Sequence, residues 1–151
     1  MAIYQKPDWV SKHIFNPMIK LLIRMGLGVR GGRILYVKGR KSGRWRNTPV
    51  NPLSLGNERY LVAPRGVTPW VRNIRESREG TLRLGFKEES IRVEEVPDED
   101  KPEILRAYLK YWRMETGRFF GGVSDTAPEE ELRRIAPNHP VFRILKDTPS
   151  A

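Results

Sequence analysis

Pro49 and Pro52 stand three residues apart in an otherwise extended segment, Asn47 to Leu55. Proline has no backbone N–H to give to a strand ladder. The segment is therefore excluded from the middle of a sheet and must be an edge or a bulged strand. Its neighbours read as short antiparallel strands. RILYVKG, from Arg33, sets Leu35 and Val37 on one face. Gly56-Asn57 is a turn signal ahead of a third strand, Arg59 to Ala63. TLRLGF and SIRVEEV read as a hairpin ended by Val96-Pro97, and VFRIL, from Val141, is a closing strand.

Helix signals frame these strands. Asp8 caps Trp9 to Phe15, and Asn16 with Pro17 opens a second piece that runs to Gly26. This predicts an N-terminal helix over about 9–25. Its apolar stripe of Ile14, Phe15, Met18, Leu22 and Met25 suits a core face, and Lys12, Lys20 and Arg24 would also suit a peripheral membrane contact. Thr68 and Pro69 open a short helix, WVRNIRES, with Gly80 as its stop. Asp100 caps a longer helix from Lys101 to about Glu115. Thr126 with Glu129 makes a capping box for a helix through Ile135. The sum is an α+β chain built on a small, mainly antiparallel barrel of five or six strands with flanking helices. At 151 residues one domain is expected, over 1–146, with 147–151 as a loose tail.

Charge is distributed unevenly. Residues 1–50 hold 11 Lys+Arg and one acid, Asp8, so the whole excess of +10 lies there. Its densest part is KGRKSGRWR, where Lys38, Arg40, Lys41, Arg44 and Arg46 surround Gly39, Ser42, Gly43 and Trp45. A glycine turn with exposed N–H groups and cations makes a phosphate or carboxylate cradle. Four readings follow from composition: a nucleic acid, an anionic lipid surface, one small anionic molecule, or a solvated turn.

Several function classes drop out. There are no cysteines, which removes disulfides, thiolate zinc sites and a cysteine nucleophile and fits a reducing, cytoplasmic setting. MAIYQKPDWV lacks the basic and apolar regions of a signal peptide, and no run approaches the ~20 apolar residues of a spanning helix. GxxxxGK[ST], GxSxG and HExxH are all absent. The two histidines, His13 and His139, form no metal-ligand pattern, so no metal is expected. Trp45, Tyr36 and Tyr60 could stack on bases, but without a helix-turn-helix, RNP or zinc pattern no nucleic-acid partner is expected.

The ordered series GRKSGxxRxTPV, then RYLVA, then Arg65-Gly66, then Pro69-Trp70-Val71-Arg72-Asn73-Ile74, resembles the deazaflavin-dependent nitroreductase and quinone reductase family. The likeness covers roughly 30–96 and returns around Pro140 to Leu145. It implies a split β-barrel that uses the deazaflavin coenzyme F420, an anionic molecule with a phosphodiester and an oligoglutamate tail. By the resemblance, Lys41 contacts the phosphate, helped by Arg40, Ser42, Gly43 and Arg46. The segment with Asn47, Thr48, Pro49 and Val50 runs along the ring system. Val62, Ala63, Pro64 and Arg65 lie near its reactive edge, Trp70 packs on it, and Asn73 lies in the same helix start. Tyr108 and Tyr111 are implied as hydroxyls on the acceptor side, with Phe119 and Phe120 as pocket walls. The resemblance also implies a small-molecule electron acceptor (a quinone, nitro compound or enone) and a homodimer. Other split-barrel proteins bind FMN, haem or lipids without this chemistry, which leaves FMN as the alternative cofactor.

Overall fold

The computed structural model describes residues 32–146. The expected N-terminal helix and the tail at 147–151 lie outside the described residues. The strands are β1 Arg33–Lys38, β2 Trp45–Val50, β3 Leu53–Leu55, β4 Glu58–Val62, β5 Glu79–Leu84, β6 Lys87–Glu95 and β7 Val141–Ile144. The helices are α1 Pro69–Ser77, α2 Pro102–Thr116 and α3 Glu129–Ile135. All seven strands join one sheet in the order β2-β1-β5-β6-β7-β4-β3, and every pairing is antiparallel.

The proline-bearing segment accounts for the one strand more than the upper expectation. It breaks at Asn51-Pro52 into β2 and β3, which pair with different partners, β1 and β4. They sit at opposite edges of the sheet yet are adjacent in the chain. Three virtual bonds of about 3.8 Å join Val50 to Leu53, so the two edges must come within about 11 Å of each other. The sheet has to curl into a barrel.

Alternation along the strands then fills two cores. Leu35, Val37, Val50, Leu61, Ala63, Leu82, Ile91, Val93, Phe142 and Ile144 face the barrel interior, which α1 plugs with Val71 and Ile74. On the other side of β4 and β7, Val62 and Val141 face a helical layer built from α2, α3 and the chain between them, including Leu105, Leu109, Trp112, Phe120 and Leu132. Successive residues of β4 thus enter different cores, as a period of two requires.

Two local expectations are corrected. Gly80 does not stop α1. The helix ends at Arg78, in the left-handed region at φ 59°, with its N–H bonded to Ile74 O at 2.7 Å. Gly80 lies within β5, where an added Cβ would meet the Tyr36 carbonyl oxygen at 2.8 Å. The glycine serves close approach of β5 to β1. The capping box is also absent: Pro128 is the N-cap of α3, and Thr126 instead takes part in a turn with Ser124 Oγ.

Gly80→Ala is expected to destabilise the fold by about 1–3 kcal/mol, because the obstructing atom is backbone and cannot rotate away. Urea unfolding checks this, and a midpoint equal to that of the parent protein would contradict it.

Candidate functional site

The cationic turn is built from the β1–β2 register. Lys38 lies opposite Trp45. Between them Gly39 N–H donates to Arg44 O at 2.8 Å, and Gly43 N–H donates to Gly39 O at 2.9 Å. Gly43 supplies the left-handed φ of 69° that the reversal needs. The Arg44 N–H donates to Ser42 Oγ at 3.2 Å, which leaves the hydroxyl proton to donate elsewhere. This backbone closure turns Arg40, Lys41, Arg44 and Arg46 to solvent. Lys38 Nζ sits 5.5 Å from the centre of the Trp45 ring, which is itself 57% exposed. Among the described residues no carboxylate forms an ion pair with these five cations. Elsewhere Arg59, Arg75, Arg133, Arg134, Arg143 and Lys146 pair with Glu89, Glu95, Glu129, Glu131, Glu94 and Glu58.

Helix α1 stands behind the turn. Its N-cap is Thr68, with Pro69 at the first helical position. Asn73 is buried on it, and its Oδ1 accepts two hydrogen bonds from Arg40, one from the backbone N–H and one from Nη1. Trp70 is half-buried, 5.9 Å from the Phe142 ring and tilted by 55°. It therefore leans on the barrel core while keeping an exposed part. The outer edge of β2 grades from exposed Asn47, through half-buried Thr48 and Pro49, to Val50 inside the barrel.

Val62 and Ala63 are buried in the helical and barrel cores respectively, so this segment presents backbone rather than side chain there. Pro64 and Arg65 follow, half-exposed. The strip is pinned from the C-terminal part of the chain: Ala63 N–H donates to Pro140 O at 2.8 Å, and His139 Nδ1 lies 3.0 Å from Pro64 O. A carbonyl can only accept, so Nδ1 carries the proton. His139 is stacked on Phe120 at 4.2 Å and is 2% exposed. Burial lowers its pKa from 6.5 to about 4, the bonds to Pro64 and Ala63 oppose this, and the nearby Lys101 charge adds to it. Arg65 lies over the Phe119 ring at 5.3 Å.

The two tyrosines part company. Tyr108 is 1% exposed in the helical core, its ring 6.0 Å from Phe120. Tyr111 is 59% exposed. It lines a cleft of about 380 Å³ with Arg33, Pro52, Leu53, Ser54, Arg59 and Trp112. The helix kinks here, with Trp112 at φ −116° and ψ 18°. Arg59 is held by a bidentate pair with Glu89 at 2.7 and 3.0 Å, and that hydrogen bond lowers the Glu89 carboxyl pKa. Sequence reasoning missed Arg33, Ser54, Arg59 and Trp112, because only the β2–β3 crossing brings them together. Arg33 and Lys38 are the two ends of β1, which places the cleft and the cationic turn about 17 Å apart at strand rise.

A family model described as F420H(2)-dependent quinone reductase matches residues 23–117. No curated protein matches the chain. Among solved structures, one described as a domain-swapped dimer aligns with a TM-score of 0.55 and 16% identity, over 91% of this chain and 98% of that one. An F420-H2 dependent reductase (FDR-A) aligns at 0.50 and 17% identity, over 77% and 95%. A protein of unknown function from Agrobacterium tumefaciens aligns at 0.56 and 12% identity, over 93% and 56%. At these identities the structures show the fold, a split β-barrel.

The buried His139 makes stability depend on pH. Its folded pKa of about 4 lies below the unfolded 6.5. Its contribution is complete above pH ~6.5, declines as pH falls and is spent below about 4, a total of ~3 kcal/mol. His139→Asn keeps a donor for Pro64 O but does not titrate. Urea unfolding across this window is expected to show the stability gap between the parent protein and the variant shifting in favour of the variant as pH falls. A gap independent of pH would contradict the neutral buried imidazole.

Proposed function

The chain belongs to the F420H(2)-dependent quinone reductase family, and we propose that it is an oxidoreductase that takes reducing equivalents from the reduced deazaflavin coenzyme F420 and delivers them to a quinone. The observation that carries this reading is the cationic turn. A rigid backbone holds its charges outward, and among the described residues no carboxylate pairs with them. Mutual repulsion of such charges is relieved by an anion. The donor set fits the anionic part of the coenzyme: guanidiniums for bidentate contacts, an ammonium and a hydroxyl. An FMN-selective or lipid-binding barrel would leave the family match without a reason.

In this reading Lys41 and Arg46 hold the phosphate, with Arg40 and the Ser42 hydroxyl beside them. The outer edge of β2, from Asn47 to Val50, and the strip from Val62 to Arg65 form the walls for the ring system. Trp70 supports it with the exposed part of its indole, and His139 keeps the strip in place through Pro64 O. When bound, the reduced coenzyme supplies the hydride; the chain supplies orientation and electrostatics. The cleft at the β2–β3 crossing receives the acceptor. Tyr111 and Trp112 offer ring contact and a hydroxyl, and Arg33 and Arg59 place positive charge where an acceptor gains negative charge. Nitro compounds and enones share the electron-poor character of a quinone and are further acceptors in this proposal. A homodimer is included, on the likeness to a structure described as a domain-swapped dimer. The setting we propose is the cytoplasm, with peripheral contact to the membrane that dissolves quinones.

Lys41→Ala is expected to weaken binding of the oxidised coenzyme by about 1.5–3 kcal/mol, the worth of a charge-assisted contact, with the fold intact. Titration followed by tryptophan fluorescence measures it, with FMN in parallel. Preference for FMN, or no binding of the deazaflavin, removes the proposed activity. Tyr111→Ala is expected to raise the quinone KM about fivefold while coenzyme affinity stays the same. A change confined to coenzyme affinity would move the acceptor away from this cleft.

A further inference from the structure

We propose that Asn73 is a positioning residue for the anion-binding turn, acting through Arg40; this rests on the deazaflavin reading above. Asn73 Oδ1 accepts from Arg40 N–H at 3.1 Å and from Arg40 Nη1 at 2.9 Å. Two donors on one atom set the orientation of the amide, since a flipped amide would oppose N–H to N–H. Asn73 is 4% exposed, and its helix is anchored in the barrel by Val71 and Ile74, each 0% exposed. The turn closes its own backbone only through Gly39, Gly43 and Arg44. Asn73 is what ties it to the barrel at Arg40.

The consequence concerns direction rather than charge. Without Oδ1 the Arg40 backbone N–H loses its partner and the guanidinium becomes free to sample its rotamers. A ligand must then order that side chain and the turn as it binds, at a cost in affinity. Oδ1 already has two donors, so it is not the atom that meets a ligand. A direct contact would fall to Nδ2, for which no hydrogen bond exists among the described residues. The two roles make different predictions, because the part of the positioning that runs through the guanidinium exists only while the Arg40 side chain is present.

A double-variant cycle on binding of the oxidised coenzyme decides between them. Asn73→Ala is expected to lower affinity about tenfold in the parent protein and about threefold in the Arg40→Ala background, where only the bond from the backbone N–H of residue 40 is left to lose. Equal losses in both backgrounds would overturn the proposal and make Asn73 a direct contact or a general support. Amide hydrogen exchange at Arg40, read on the ligand-free protein, is the independent measure. It is expected to quicken in Asn73→Ala and to stay slow in Asn73→Asp, which keeps the acceptor oxygen. Unchanged exchange in Asn73→Ala overturns the proposal, and Asn73→Asp carries the test if the alanine variant does not fold. Should the parent protein bind no deazaflavin, the functional reading falls while exchange still decides whether Asn73 positions the turn.

Discussion

The crossing at Asn51-Pro52 is the constraint on which the rest of the structure depends. It joins the two edge strands of a seven-stranded sheet. Closure follows from chain connectivity and needs no ladder between β2 and β3. Once the sheet is curled, one face of each strand is inside and α1 is the only described helix that enters that core. The same closure carries Arg33, at the start of β1, towards β3 and α2, where the cleft forms. The barrel thus has two distinct ends, a cationic turn at one end of β1 and an aromatic, arginine-bearing cleft at the other.

Those ends are treated differently by the physics of charge. The turn keeps its cations in water, where holding them costs little, and its backbone bonds order it before any ligand arrives. Interior titratable groups are matched instead. Lys101 is 2% exposed and donates to Asp98 at 2.6 Å and to Ala136 O at 3.0 Å. His139 is kept neutral and donates to Pro64 O. Both tie the last part of the chain to earlier elements, and His139 does so at the strip beside α1. Buried polar groups here find partners inside the fold, and the cations of the turn stay in water.

Much of this was legible in the residues. The strand segments, the glycine-bounded cationic turn, Thr68-Pro69 as a helix start and the order of motifs along the chain are local signals, set by proline's missing N–H, glycine's freedom and alternation of apolar residues. Pro49 and Pro52 already excluded a central strand, and both resulting strands are edges. What local patterns could not supply is distance across the fold. Gly80 reads as a helix stop until β1 is seen packed against it. Thr126 and Glu129 satisfy a capping motif, yet Pro128 takes the cap. Tyr108 and Tyr111 lie on one helix, but their rotation about it puts the first in the core and the second at the cleft.

The sequence by itself determined which groups the chain carries and in what order: a concentrated, glycine-hinged set of cations followed by the strand, turn and helix motifs of the F420H(2)-dependent quinone reductase family. Tertiary structure alone decided which groups meet. The bond between Arg40 and Asn73 spans 33 positions, and that between Pro64 and His139 spans 75. The cleft gathers residues from four separate segments. Residue type and spacing encode what a side chain can donate or accept. Which partner it finds depends on register, closure and burial, and these exist only once the whole sheet has curled.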